Sequence, residues 1–372
     1  MIYLDNAATT LLKPASVGQA MSVALRTMAS PGRGGHSPAM LAAETVFDCR
    51  TEAAELFHVP EPEQVVFTMN ATHALNIAIF SLVRPGTRVL ISGFEHNSVT
   101  RALRAAGADI TVAGIKLFDA EDCLADFSGK IKQAQVVVCT HVSNVFGYIL
   151  PIEGIAALCR ERGVPLIIDA SQSAGVLPLD LQALGAAFIA MPGHKALFGP
   201  QGTGLLLCAE QTKPLLYGGS GSESRLQEMP HELPDRLEAG THNVCGIAGL
   251  LAGLRYVRGQ GLDTILAKER SLLERLKDGL GHTELELFSG PEALQAGVLS
   301  VRSSRMDCEE LAGRLAERGV CVRSGLHCAP SAHKSAGTLD TGTVRFSVSP
   351  FLNETQIGLA CDAVQEALAA SP

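Results

Sequence analysis

A chain of 372 residues with 47% hydrophobic content can bury a large core, and its length suggests two or three domain-sized units. A formal charge of −8, without clustered lysine or arginine, argues against a nucleic-acid or anionic-membrane partner. The longest apolar stretches, such as 246–254, are too short to span a bilayer, and the start Met1-Ile2-Tyr3-Leu4-Asp5-Asn6 lacks the basic and apolar regions of a signal peptide, so a cytoplasmic enzyme is expected.

In chain order, the spacing predicts strands over 64–68, 88–92, 135–141, 165–169, 186–191 and 204–208, several of them continuous apolar runs suited to strands covered on both faces. Helical patterns lie between them at 71–83, at 98–106 and at 152–162, the last stopping at Gly163. This alternation implies an α/β fold with a largely parallel sheet, whose ligands bind at the carboxyl ends of the strands. After a glycine-rich helix at 243–256 the pattern changes near 258–261. A helix at 262–280, strands at 297–302, 320–323 and 343–347, and helices at 307–318 and 354–369 then read as a compact α+β unit.

Two charged residues stand at the ends of buried strands. Lys195 follows an apolar run and precedes the glycine-rich turn Phe198-Gly199-Pro200-Gln201-Gly202, and Asp169 closes another run 26 residues earlier. An amine and a carboxylate so placed match what pyridoxal phosphate needs, a Schiff-base lysine and an acidic partner for the pyridinium nitrogen. Taken singly, each is ordinary: lysines are usually solvated, and a strand-end aspartate usually shapes a turn. The strand ending at Thr68 runs through Met69-Asn70-Ala71-Thr72-His73 into a helix whose free amides attract an anion, although Asn70 or Thr72 serves equally as a plain N-cap. The stretch 236–241 is undecided between a ligand loop and an ordinary one.

Ten cysteines without a CxxC pair signal neither a zinc framework nor a redox motif. Cys139, Cys208 and Cys321 sit in β-type runs as small buried thiols. Cys328 instead lies in the loop-like stretch Arg323-Ser324-Gly325-Leu326-His327-Cys328-Ala329-Pro330, where a nearby imidazolium or arginine would favour the thiolate.

The ordered set of motifs resembles the cysteine desulfurases and selenocysteine lyases of the class V aminotransferase group, which are fold-type I pyridoxal phosphate enzymes. It runs through Tyr3-Leu4-Asp5-Asn6-Ala7-Ala8-Thr9, Arg33-Gly34-Gly35-His36, Ala71-Thr72, Glu95-His96, His141-Val142-Ser143-Asn144-Val145-Phe146-Gly147 and Asp169-Ala170-Ser171-Gln172. It closes with Gly193-His194-Lys195, Glu238-Ala239-Gly240-Thr241, 323–328 and Thr343-Val344-Arg345. On this resemblance, 14–257 form a large cofactor-binding domain, and 1–13 with 258–372 form a smaller α+β domain carrying the Cys328 loop.

The resemblance also implies roles. Lys195 holds pyridoxal 5′-phosphate and moves the Cα proton, Asp169 pairs with the ring nitrogen, His96 stacks on the ring, and Gln172 bonds its phenolic oxygen with Asn144 beside it. Ala71, Thr72, His194 and a partner-derived Thr241 surround the phosphate of a homodimer. Arg345 binds the substrate carboxylate with Asn144, His36 and Arg323 in the substrate site, and Cys328 attacks the sulfur of L-cysteine to give a persulfide, alanine and sulfur for an acceptor protein. L-Selenocysteine, or another substrate of a C–S or C–Se lyase or aminotransferase of this fold, is the alternative, with Cys328 dispensable. A third reading, a non-catalytic partner or carrier, fits less well because Lys195, Asp169 and Arg345 are all present. Three departures stand out: Pro192, where relatives often carry a phosphate-binding hydroxyl; Leu326, where many show a second histidine; and the loop 328–345 with Pro330-Ser331-Ala332-His333-Lys334.

Overall fold

The computed structural model describes residues 1–32, 34–210 and 212–369, so Arg33 of the Arg33-Gly34-Gly35-His36 motif lies outside the described residues. A short strand, β1 (Ile2–Tyr3), leads to helices α1 (Ala15–Thr27) and α2 (Ser37–Phe57). There follow β2 (Val65–Thr68), α3 (Ala71–Leu82), β3 (Arg88–Ser92), α4 (Asn97–Ala105), β4 (Asp109–Ala113), α5 (Ala120–Lys130), β5 (Val136–Thr140) and α6 (Ile152–Arg162). Next come β6 (Leu166–Asp169), the short α7 (Leu181–Leu184), β7 (Phe188–Pro192) and β8 (Gly204–Cys208). The remainder comprises α8 (Val244–Gln260), α9 (Leu262–Leu280), β9 (Glu286–Phe288), β10 (Val298–Arg302), α10 (Cys308–Glu317), β11 (Val320–Cys321), β12 (Arg323–Gly325), α11 (Pro330–Ser335), β13 (Thr343–Ser347) and α12 (Glu354–Ala369).

The main sheet has the order β2-β8-β7-β6-β5-β3-β4, and β8 alone runs against its neighbours. Its continuous apolar runs are explained by helices on both faces. Val137, Cys139, Leu166 and Ile168 pack with α2, α5, α6 and α8 on one side, and Val136, Val138 and Ile167 pack with α3 and α4 on the other. Burying each such aliphatic side chain contributes roughly 1.5–3 kcal/mol, which sets the register, since a one-residue slip would exchange the two faces. Gly163 closes α6 in the left-handed conformation (φ 62°) that its position in the sequence suggests.

A second sheet, β12-β13-β10-β9, is antiparallel throughout and is covered by α9, α10 and α12. β1 pairs with β11, and Asp5 bridges to Ser347 of β13, so the amino terminus is built into this second layer. No helix among the described residues is long and apolar enough to cross a membrane.

Several elements go beyond the sequence reading. The stretch 320–323 splits into β11 and β12, which belong to different sheets. Helices α1, α2 and α5 and strands β4 and β9 are additional. The loop after Cys328 contains α11, started by Pro330, whose fixed φ and missing N–H suit a first helical turn.

Candidate active site

The carboxyl ends of β2, β3, β5, β6 and β7 meet on one edge of the main sheet, and the loops leaving them enclose a cavity of ≈ 210 Å³. Ala71, Thr72, His96, Asn144, Asp169, Gln172, His194 and Lys195 all line it. Register explains the convergence: Asp169 stands opposite Thr140 of β5 and Ala190 of β7, so the two following loops start at the same level.

Lys195 sits in a tight turn after β7. Its carbonyl accepts from Phe198 N (2.9 Å) and Thr10 Oγ1 (3.2 Å), and Gly199 N closes onto the Gly193 carbonyl (2.7 Å). A side chain at Gly253 would collide with the Leu197 carbonyl, so the glycines of α8 let that helix press directly on this turn. Burial lowers the Lys195 ammonium to about 8, with the charge of Asp169 opposing the shift. Asp169 is only 2% exposed, and its Oδ1 accepts from Ser171 N at 2.9 Å.

Glu95 lies behind these groups. Its Oε1 accepts from Ser92 Oγ (2.5 Å) and Thr140 N (2.8 Å), while Oε2 has no partner. Burial, reinforced by Asp169, pushes its carboxyl up to about 8 against those hydrogen bonds.

His96 caps α4 and accepts at Nδ1 from Ser98 N (3.0 Å). Burial holds its imidazolium below the usual range, Asp169 opposing and Lys195 assisting. Gln172 Nε2 donates to the Ala7 carbonyl at 3.0 Å, which ties the amino-terminal motif to the cavity wall. His194 Nδ1 lies 3.1 Å from Thr9 Oγ1, and burial lowers this imidazole to about 4. Pro192, the last residue of β7, borders the cavity without any donor.

Arg345 approaches from the second sheet, 2% exposed. Its Nη1 donates to the Asn144 carbonyl (3.0 Å) and its Nη2 to Asp5 Oδ1 (2.7 Å), while Nε is buried without a partner. Arg323 is its register partner on β12 and is exposed.

Cys328 is the exposed cysteine among the described residues. His327 and Cys328 both adopt positive φ, 48° and 57°. The turn is clamped at two points, Asn97 N donating to the Cys328 carbonyl (2.7 Å) and Asn144 Nδ2 to the His327 carbonyl (2.9 Å), and the end of the following α11 is tied down by Ser335 Oγ donating to the Gly93 carbonyl (2.9 Å). The thiol is therefore carried on a short pinned turn that shares Asn144 with the cavity and follows directly on His96 through Asn97. The imidazole of His327 points inward, stacked on His333 at 5.6 Å, and burial drops it to about 2. An imidazolium at His327 is thus not available to favour the Cys328 thiolate. Leu326 is 38% exposed.

Two expected residues lie elsewhere within the chain. His36 is exposed and caps α2, accepting from Ala39 N at 3.4 Å. Thr241 is exposed and lines a different cavity of ≈ 240 Å³ beside Phe67 and His242. The preceding Glu238 is buried, accepting from Arg50 Nη1 (2.8 Å), Phe67 N (2.7 Å) and His242 Nε2 (2.9 Å), so the segment leading to Thr241 is anchored on α2 and β2. Asp5 and Ser98 are polar contacts of the site that sequence reasoning passed over, although Asp5 belongs to the first motif and Ser98 follows the Glu95-His96 pair.

The site thus offers one amine, one buried carboxylate, two imidazoles, the orphaned amides at the start of α3 and a guanidinium for a second anion. That set suits an anionic aldehyde and a carboxylate-bearing amine together.

Comparison with known proteins agrees. Residues 2–359 match the family model described as aminotransferase class-V. A probable cysteine desulfurase of Pyrococcus abyssi is 33% identical, with 96% of this chain and 92% of the relative aligned, and one of Methanothermobacter thermautotrophicus is 32% identical over 98% and 94%. Among solved structures, the apo cysteine desulfurase of Thermococcus onnurineus NA1 superposes with a TM-score of 0.89 at 30% identity, covering 98% of this chain and 94% of that one. The Escherichia coli cysteine desulfurase CsdA gives 0.85 at 25% identity over the same shares.

Proposed function

The chain belongs to the class-V aminotransferase family, and from that premise we propose that it is a cysteine desulfurase using pyridoxal 5′-phosphate to convert L-cysteine into L-alanine, with the sulfur left as a persulfide on Cys328. The observation that carries the reading is the junction of an exposed thiol with a lysine–aspartate cavity through Asn144, which lines the cavity and also holds the His327 carbonyl.

The residues fit the cofactor. Lys195 is an amine just beyond a strand end that burial lowers to about 8, so that it sheds its proton in mildly basic solution, Asp169 is a buried carboxylate on the same wall, and the amides of Ala71 and Thr72 with His194 form an anion-binding end. When bound, pyridoxal phosphate supplies an electron sink for the substrate's Cα. Asp169 would hold the ring nitrogen protonated, His96 would cover the ring face, and Gln172 would bond the phenolic oxygen. Arg345 would take the substrate carboxylate on its planar fork, its partnerless Nε being one donor free to do so. Lys195 Nζ then moves the Cα proton. The Cys328 thiolate attacks the substrate sulfur: an S–S bond forms as the Cβ–S bond breaks, the electron pair passes to carbon, and a proton completes alanine. L-Cysteine and the Cys328 thiol thus become L-alanine and the Cys328 persulfide, with no outside oxidant or reductant.

The rest of the reading concerns assembly and place. Leu25, Met40 and Phe47 are exposed on α1 and α2, and a second copy of the chain would cover them and bring its Thr241 to the phosphate end of this cavity. The exposed position of Cys328 suits delivery of sulfur to an acceptor protein, and ten unpaired thiols suit a reducing, cytoplasmic setting. The purified protein, given pyridoxal phosphate and L-cysteine, should release alanine and acquire protein-bound sulfur in equal amounts. Absence of alanine from the cofactor-loaded protein would refute the assignment.

A further inference from the structure

Ser98 joins two parts of the cavity that the proposed function uses separately. Its Oγ lies 2.8 Å from His96 Nδ1 and 2.9 Å from Thr72 Oγ1, and it borders the cavity together with both. Its own amide donates to the same Nδ1 at 3.0 Å. An amide can only donate, so Nδ1 is an acceptor, and the neutral imidazole carries its proton on Nε2.

The other amides in the first turn of α4 are already used: Asn97 N by the Cys328 carbonyl, and Val99 N and Thr100 N by the His96 carbonyl. Of the residues of α4, Ser98 is the one that borders the cavity. On the α3 side, Asn70 Oδ1 takes His73 N, and the amides of Ala71 and Thr72 are the orphans of the helix start. Pro192, across the cavity, has neither N–H nor hydroxyl to give. A hydroxyl network therefore runs from the imidazole over the ring site to the anion end, with Ser98 at its centre.

We propose that Ser98 is a further positioning residue of this site, fixing His96 as the Nε2-protonated tautomer and holding the Thr72 hydroxyl at the phosphate end of the cofactor. The inference rests on the pyridoxal phosphate reading given above. Ser98 acts through its two neighbours: its one hydroxyl hydrogen goes to His96 Nδ1 and its oxygen accepts from Thr72 Oγ1, so the imidazole and the first turn of α3, with its orphaned amides, are held by one chain of hydrogen bonds.

The test titrates the apoenzyme with pyridoxal phosphate and, separately, with pyridoxal, which lacks the phosphate, in wild type, Ser98→Ala and Ser98→Thr. A hydrogen bond in a charge-assisted network corresponds to about a tenfold change in affinity. Ser98→Ala should raise the Kd for pyridoxal phosphate about tenfold and leave that for pyridoxal within about twofold, while His96, still held by the backbone amide of residue 98, stays Nε2-protonated in ¹⁵N spectra. Ser98→Thr, which keeps the hydroxyl, should restore the affinity for pyridoxal phosphate. Wild-type affinity for pyridoxal phosphate in a folded Ser98→Ala protein, or equal weakening for both ligands, would overturn the inference while leaving the cofactor assignment standing. A wild-type protein that takes up no pyridoxal phosphate would overturn both.

Discussion

Arg345 Nη2 donates to Asp5 Oδ1 at 2.7 Å although 340 residues separate them, and this pair fastens the segment after β1 to the strand that carries the guanidinium. Asp5 is the carboxylate that neutralises a cation only 2% exposed. Replacing it with Asn leaves that cation uncompensated, at a cost of about 3 kcal/mol or somewhat less given the partial exposure of Asp5. L-Alanine, whose carboxylate supplies a negative charge to Arg345, should restore more stability to Asp5→Asn than it adds to the wild type. Denaturant titration of both proteins with and without L-alanine checks this, and equal stability without ligand would show that solvent already screens the pair.

Arg345→Lys keeps the charge and loses the planar fork. The KM for L-cysteine should rise by about tenfold or more, with a smaller change in kcat, because a point charge cannot reproduce bidentate binding. Steady-state kinetics decide it; an unchanged KM would place the substrate carboxylate elsewhere.

If Lys195 holds pyridoxal phosphate as proposed, capture of the cofactor by the apoenzyme requires its free amine. Burial has lowered that group from 10.5 to about 8, so the capture rate should climb with pH and level off above about 8. Asp169 favours the ammonium form, so Asp169→Asn should move the midpoint to lower pH while slowing turnover through loss of the ring-nitrogen partner. Stopped-flow absorbance across pH reports both. A midpoint near 10.5, or one unmoved by Asp169→Asn, would contradict the burial argument.

Glu269 of α9 lines a small cavity of ≈ 40 Å³ with Lys195 and Gly297, and burial alone raises its carboxyl from 4.5 to about 8. The folded state holds this proton more tightly than the unfolded chain does. Its contribution is complete below about pH 4.5 and is lost as pH rises through about 8. Glu269→Gln should match the wild type near pH 4.5 and exceed it above pH 8, by on the order of a few kcal/mol. Thermal unfolding at the two pH values checks the sign; a variant less stable at high pH would mean that the carboxylate is paired there.

What was legible in the sequence followed from burial on two faces. Val136–Thr140 and Leu166–Asp169 are unbroken apolar runs because helices cover both sides, and the charged residues ending such runs, Asp169 and Lys195, stand out against them. β4 sits at the sheet edge with Asp109, Thr111 and Val112 exposed, so it carries no such run. β12 is Arg-Ser-Gly, a strand only because β13 pairs with it. α11 is too short for a helical period, and its Pro330 reads equally as a loop residue. The Asp5–Arg345 pair, the inward imidazole of His327 and the contacts of Ser98 arise from tertiary proximity, which local spacing does not encode. The motif 323–328 suggested a thiol in a free loop, whereas the clamps from Asn97 and Asn144 emerge only when three segments distant in sequence meet.

In the proposed reaction Cys328 receives the sulfur. Mass spectrometry of the cofactor-loaded protein after brief exposure to L-cysteine, read peptide by peptide in wild type and Cys328→Ala, tests it most directly. One added sulfur on the Cys328 peptide of the wild type, with loss of alanine formation in Cys328→Ala, is the result predicted. Sulfur on another peptide, or alanine formed by Cys328→Ala at the wild-type rate, would contradict it.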